Sequence, residues 1–239
     1  MKKQNLDKKF WQTTRGEINN SYDFSNIWQE VIIRFENRIN NYYLIPISKL
    51  IDSRILKGEG FTILTIQCAL IEMLASFKYG KIHNHIKKGT DPRFEYKYAS
   101  ECLYPFLYSE PIFENHFFYF DAQNGKIENQ PFCARDFYEN VRCGLMHEAR
   151  TKGEWLVNAK INYLGSEKIF ITRNNSTGEI SIDRNILNTQ LKLYFKNYID
   201  SLRENSNEGN SLRRLFARKL DHLHDISSDP LNYEWWIDQ

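Results

Sequence analysis

The 239 residues are 41% hydrophobic and 26% charged, the composition of an ordinary folded protein with enough chain to build a core without covalent staples. Thirty-two basic residues against 30 acidic ones leave a net charge of +2, which excludes a protein that coats nucleic acid through bulk charge; any such contact must come from a local patch. With 11 glycines, 6 prolines and 15% aromatic residues, the chain favours long helices around an aromatic interior.

Residues 1–21 are polar and read as a loosely ordered N-terminal arm, although Phe10 and Trp11 can dock on the body. Its lysines are followed by no apolar stretch of the kind that marks a secretory signal. The first helix is expected over residues 25–43, where Ile27, Trp28, Val31, Ile32, Phe35, Ile39 and Tyr42 recur at helical spacing. Pro46 marks a break before a short helix over 47–56. Gly58 and Gly60 then punctuate the chain ahead of an apolar helix over 61–79, stopped at Gly80. Apolar on most sides, this helix belongs at the centre of a bundle. It contains Gln67 and Glu72 and falls short of a membrane span of about 20 residues, so a cytoplasmic protein without a membrane partner is expected. Glu72 has two readings: a solvent-facing or capped side chain, or a carboxylate paired with an arginine, for which Arg142 is a candidate.

Residues 81–96 carry His83, His85, Lys87, Lys88 and Arg93 and read as an exposed basic loop. Lys87 and Lys88 are candidates for phosphate contact; the two histidines lack the further ligands of a metal site. A short helix over 98–107 is cut near Pro105. Phe113, Phe117, Phe118 and Phe120 supply core or interface, and residues 121–125 a turn. A helix over 134–151 follows, with Phe137, Val141 and Leu145 as its apolar stripe and Gly153 as its end. Alternation at Trp155 and Val157, Ile169 and Ile171, and Ile180 and Ile182, with turns at Gly165 and 174–178, predicts a small antiparallel hairpin or three-stranded element over 154–183. Helical period returns from 185, with Leu187, Leu191, Tyr194, Tyr198 and Leu202 on one face. After a polar linker over 204–210, a last helix over 211–226 places Arg213, Arg214, Arg218 and Lys219 on a basic face, either solvated or turned to RNA through Arg213 and Arg214. The tail, with Trp235 and Trp236, is apolar enough to dock on the body or on a partner. Cys68, Cys102, Cys133 and Cys143 are scattered and read as reduced thiols. A single domain over 1–239 accommodates all of this.

No glycine-rich phosphate loop, nucleophile elbow or dinucleotide fingerprint occurs, and His147-Glu148 lacks the second histidine of a zinc protease because position 151 is threonine. Cys143 and His147 share a helix face, yet no acidic or amide group is placed to orient them as a thiol nucleophile and base. Arg142 and His147 remain. A permanent guanidinium holds phosphate with two parallel hydrogen bonds, and an imidazole moves protons near neutrality. Together they suit cleavage of RNA, whose 2′-hydroxyl is a built-in nucleophile, with no cofactor or metal required. Five residues along an ideal helix is an offset of about 140°, so a distortion or a second copy of the helix must complete the site. Glu139, Asn140 and Glu148 are auxiliary candidates. Arg150 and Lys152 join the RNA-binding candidates.

Arg142-Cys-Gly-Leu-Met-His147, on a late helix of a helical protein, resembles the Arg-x4–6-His motif of the HEPN superfamily. The wider stretch Val141-Arg-Cys-Gly-Leu-Met-His-Glu-Ala-Arg-Thr-Lys-Gly153 is similar to HEPN-type proteins of bacterial defence and mobile-element loci, and Leu70-Ile-Glu-Met-Leu74 fits the same group. The specific likeness covers residues 134–153; elsewhere it is one of architecture. It implies a mainly α HEPN-like helical bundle and a metal-independent endoribonuclease of antiphage defence or toxin systems. It also implies a homodimer through the Arg142–His147 helix and, in some members, an antitoxin or other defence-system partner. A polar residue often follows the arginine in that family; here it is Cys143. Members without activity imply the alternative of a silent module that binds RNA, a nucleotide or a protein. A third reading is an unrelated scaffold in which Arg142 pairs with Glu139 or Glu72 and His147 is a core histidine.

Overall fold

Apolar residues at helical spacing over most of the chain give a mainly helical protein with small sheets, among them a three-stranded mixed sheet. The computed structural model describes residues 2–53, 58–118, 120–121, 125–126, 132–160, 166–226 and 228–237. The helices are α1 (Lys2–Ile18), α2 (Asn26–Ile39), α3 (Ile45–Asp52), α4 (Glu59–Lys78), α5 (Ser100–Ser109), α6 (Ala134–Phe137), α7 (Cys143–Glu148), α8 (Arg184–Arg203) and α9 (Asn207–Leu223). The chain divides into two compact units, one of residues 1–39, 73–99 and 196–239 and the other of residues 40–72 and 100–195.

In the first unit the stripe of α2 is buried as its spacing requires, through Trp28, Val31, Ile32, Phe35 and Ile39. Phe35 packs on Phe77 with ring centroids 4.5 Å apart and edge-on against Phe216 at 5.0 Å. Gly80, at φ +57°, ends the turn after α4, and a Cβ there would lie 2.9 Å from the Leu215 backbone, so only glycine fits both demands. Ser206 caps α9 by accepting the Gly209 N–H at 3.1 Å. Residues 82–83 (β1) and 95–96 (β2) form a two-residue parallel pair that pins the ends of the basic loop.

The arm expected to be loose is helix α1, with Trp11 and Ile18 buried. Its anchor is Asp221 of α9, a fully buried carboxylate. Asp221 accepts the indole N–H of Trp11 at 2.7 Å and those of Trp235 and Trp236 at 2.8 Å each, together with Arg15 Nη2 at 2.8 Å. Burial pushes this carboxyl upward while the four donors oppose the shift. The tail therefore docks on its own chain.

The basic residues of α9 do not form the expected outward face: Arg213, Arg218 and Lys219 are buried. Arg213 is fully buried and donates to the carbonyls of Tyr22, Leu202 and Glu204 and to Asn210 Oδ1. A guanidinium with five donors can satisfy the open carbonyls at the end of α8, which a solvated basic face does not require. Arg214 Nη2 holds the Glu234 carbonyl at 2.6 Å, Arg218 donates to the Trp235 carbonyl and lies 4.4 Å over the Phe94 ring, and Lys219 is buried. Arg213 is thus removed as an RNA contact, and Arg214 is engaged in holding the tail.

At the end of α9, burial lowers the pKa of His222 to about 4, with Lys219 adding to the effect, and burial also lowers that of His224. Both rings fold in the neutral form. Their contribution is fully present above an unfolded value near 6.5 and is lost as pH falls through the folded value. Urea midpoints are expected to fall between pH 7 and pH 4.5, and His222→Gln is expected to flatten that dependence.

In the second unit a widened helical turn, Asn40–Leu44, leads into α3. Pro46 lies in the first turn of α3, where its missing N–H is no loss, so the path stays helical where a break was expected. Pro105 likewise sits inside α5, which continues to Ser109. Strands β3 (Phe117–Phe118) and β6 (Phe132–Cys133) pair in parallel, and β4 (Phe120–Asp121) and β5 (Gly125–Lys126) pair antiparallel; the middle of the turn expected over 121–125 lies outside the described residues. Phe106, Phe113, Phe117, Phe137 and Phe170 are core residues; the side chains of Phe118 and Phe120 fall outside the described residues.

The predicted β element is the three-stranded sheet of β7 (Trp155–Asn158), β8 (Ile171–Arg173) and β9 (Ile180–Asp183). Its order is β7-β9-β8, so it is mixed rather than antiparallel: β9 is parallel to β7 and antiparallel to β8. The tight turn at 174–178, closed by Gly178 N–H on the Asn174 carbonyl at 2.7 Å, forces the antiparallel pair. The long connection before β8 leaves the centre of the sheet to β9. The expected turn at Gly165 lies outside the described residues. Helix α4 corrects one more expectation, because by length and composition it is long and apolar enough to cross a membrane; more than half of its apolar stretch is buried inside the protein, as in a core helix.

Candidate functional site

The expected helix over 134–151 is built in three pieces within the second unit. Phe137, Val141 and Leu145 are buried and fix its inner face. Between α6 and α7 the turn Tyr138–Arg142 is widened, the Cys143 N–H reaching five residues back to the Tyr138 carbonyl. A widened turn frees a carbonyl. That of Asn140 is taken by the N–H of Lys152 at 2.8 Å, from the chain returning beyond α7.

That return is tight. Helix α7 ends at Glu148, three residues before the expected end at Thr151; Ala149 follows in a left-handed conformation (φ +55°), and the N–H groups of Ala149 and Arg150 both bond the Gly144 carbonyl. A Cβ on Gly144 would lie 2.5 Å from the Arg150 carbonyl oxygen. Gly144 thus stands between Arg142 and His147 because the returning backbone occupies the space a side chain would need. Two substitutions at the ends of this return, Gly144 and Ala149, should have opposite signs. Gly144→Ala is expected to cost about 1–3 kcal/mol by overpacking, and Ala149→Gly to gain about 0.5–1 kcal/mol by relieving the left-handed alanine. Urea denaturation of the two variants checks both.

Arg142 is half-buried and turned onto α4. Its Nε donates to Glu72 Oε1 and its Nη2 to Glu72 Oε2 at 3.0 Å, a two-bond pairing with side chains 16% and 24% exposed. Of the two readings of Glu72, the arginine-paired carboxylate is the one realised. The pairing raises the Arg142 pKa further above its ordinary value. The Tyr138 ring lies 5.5 Å from the guanidinium carbon and meets Tyr104 edge-on at 5.7 Å. Burial first, and the neighbouring Cys143 second, raise the Tyr138 pKa. Beneath them Cys68, one turn before Glu72, is buried and its thiol is pushed up to about 12 by burial and then by the Glu72 charge, which makes it unreactive.

His147 is exposed in the last turn of α7, which removes the reading of it as a core histidine. The auxiliary candidates are committed locally. Glu139 pairs with Arg135 at 2.9 Å on the surface. Asn140 donates to Asp136 Oδ1, while Asp136 Oδ2 accepts the Trp155 indole N–H at 3.0 Å. Glu148 pairs with Lys152 at 2.5 Å and with Arg150 at 3.4 Å, and the bond from Lys152 is the main cause of its lowered pKa. Arg150 and Lys152 therefore stay beside His147, tied through Glu148. Lys87 and Lys88 belong to the first unit, Lys87 half-buried and Lys88 exposed. His83 and His85 are exposed, and among the described residues no group of three histidine, cysteine or carboxylate side chains stands ready to hold a metal ion.

Sequence reasoning missed Tyr138 and Asp136, whose roles depend on neighbours from α5 and β7. The isolated carboxylate of Glu72 within an apolar helix was the readable sign of its pairing. The arrangement offers a fixed cation and an exposed proton carrier on one helical run. No family model, no curated protein and no solved structure matches this chain.

Proposed function

We propose that the protein is an HEPN-like, metal-independent endoribonuclease of the cytoplasm, acting in antiphage defence or as a toxin. The observation that carries this reading is that Arg142 is held in one orientation by a two-bond carboxylate contact while His147 stands exposed farther along the same helical run. In the reaction the 2′-hydroxyl oxygen bonds to phosphorus and the bond from phosphorus to the 5′-oxygen breaks. His147 takes the hydroxyl proton, a proton is returned to the leaving 5′-oxygen, and Arg142 stabilises charge on the phosphoryl oxygens. The products are a 2′,3′-cyclic phosphate and a 5′-hydroxyl.

The widened turn ends with Arg142, and the backbone from Cys143 to Glu148 is regular α-helix. The offset of about 140° between Arg142 and His147 therefore stands. A second copy of the helix, in a homodimer, supplies the complement. An antitoxin would have to cover Arg142 or His147, or keep the two copies apart.

The test incubates purified protein with cellular RNA in chelator, followed by end-group analysis of the fragments. Cleavage to cyclic phosphate ends that is lost in Arg142→Ala and in His147→Ala supports the reading. Equal cleavage by wild type and both variants overturns it. The Arg142–Glu72 pair itself favours a second reading, in which the arginine is purely structural and the protein is a binding or scaffolding module. That reading predicts RNA left intact under all these conditions.

A further inference from the structure

The geometry points to Glu72 as the positioning residue of the site, which holds the side edge of the Arg142 guanidinium so that its end edge faces a phosphoryl group of RNA. The inference rests on the reading of Arg142 as the phosphate-binding cation. A guanidinium has two edges that can each hold an oxyanion with parallel hydrogen bonds: the side edge of Nε and one Nη, and the end edge of the two Nη atoms. Glu72 takes the side edge, through Nε and Nη2. Nη1 takes part in neither bond, and Nη2 has a second hydrogen. The Cys143 thiol is the one further side-chain hydrogen-bond partner of the guanidinium, a weak acceptor beside a phosphate, so the end edge keeps two donors in the geometry that matches two phosphoryl oxygens.

The surroundings indicate what the carboxylate is for. Glu72 interrupts a helix that is otherwise apolar through Cys68, Leu70, Ile71, Leu74 and Ala75, all buried. An ion pair in such a place adds little to stability compared with apolar residues of similar volume, because both charges must give up water. It does fix direction. Arg142 has four side-chain torsions, and the two bonds to Glu72, with Tyr138 beside the guanidinium, restrict them before any ligand arrives. A freely rotating arginine would bear the ordering cost at the moment of binding. Neutralisation does not defeat this, because the phosphate's interaction is with the two end-edge N–H groups directly, whereas the carboxylate is held at the side edge.

Glutamine at 72 is the informative substitution. It keeps the size of the side chain, but its amide accepts one bond from Arg142 and turns N–H toward the other donor. The expected effect of Glu72→Gln is a fall in kcat of at least about tenfold, the scale of one misdirected charge-assisted donor. In Arg142→Ala background the same change is expected to do nothing further, since residues acting through one another are not additive. Chemical rescue separates positioning from packing. Millimolar ethylguanidinium is expected to restore cleavage to Arg142→Ala, where Glu72 can seat the added cation, and to fail with the Arg142→Ala/Glu72→Gln double variant.

A second arm does not depend on cleavage. Binding of a 2′-O-methyl oligoribonucleotide, which cannot supply the nucleophile, is expected to weaken about fivefold in Glu72→Gln and in Arg142→Ala, and no further in the double variant. Thermal melting of each protein verifies that it is folded. Binding or cleavage by Glu72→Gln equal to or stronger than wild type overturns the inference, as does rescue that persists without Glu72. If wild-type protein cleaves nothing, the ribonuclease reading fails, and the binding arm still decides whether Glu72 aims Arg142.

Discussion

His147→Ala and Arg142→Ala should be alike in activity and unlike in stability. Each is expected to lower RNA cleavage by about 10²–10⁴-fold, the range for losing a proton-transfer group or a donor to developing charge. His147 is exposed in the last turn of α7, so its removal should leave the unfolding midpoint within about 0.5 kcal/mol of wild type. Removal of Arg142 leaves the part-buried Glu72 carboxylate without either of its two donors, at a cost of about 1–3 kcal/mol. Urea denaturation beside the cleavage assay separates the two effects. A His147 variant as unstable as the Arg142 variant would show that the histidine serves the fold.

The largest loss of stability is expected at Asp221, far from the candidate chemistry in kind. Asp221→Ala removes the common acceptor of Trp11, Trp235, Trp236 and Arg15 and should cost about 3–5 kcal/mol, because a part-buried cation and three indole donors lose their partner together. Asp221→Asn keeps the volume but presents N–H toward an indole N–H, so its cost should fall between wild type and alanine. The readouts are the urea midpoint and the wavelength of tryptophan emission, which should move red as Trp235 and Trp236 leave their buried positions. Faster proteolysis after residue 225 should accompany the shift.

Much of the helical plan was legible in the chain. The stripes of α2, α4 and α8 follow from apolar spacing alone, and Gly80 ends α4 where its backbone needs a positive φ. The parts that were not legible depend on partners distant in sequence. The N-terminal helix was misread as a loose arm because its holding group, Asp221, is 210 residues away from Trp11. Arg213 was read as facing outward, to solvent or to RNA, because sequence gives no sign that the carbonyls of Tyr22, Leu202 and Glu204 converge on it. Strand order in the small sheet was missed because alternation reveals strands and not their neighbours. At the candidate site the residue types were readable, whereas the widened turn and the left-handed Ala149 come from the chain returning over Gly144. No single-residue preference encodes that return.

The indole cluster around Asp221 also sets a timetable. Trp11 is translated early, and the groups that complete its surroundings, Asp221 and then Trp235 and Trp236, leave the ribosome more than two hundred residues later. Residues 1–39 belong to a unit that otherwise draws on residues 73–99 and 196–239, so closing it spans nearly the whole chain and carries the entropy of that loop. The other unit takes its residues from 40–72 and 100–195 and has all of them in hand before α9 is made. Synthesis is therefore expected to yield a folded second unit first, with α1 waiting exposed. During that interval a chaperone has its clearest binding site at Trp11 and Ile18, the apolar side chains that α1 later buries.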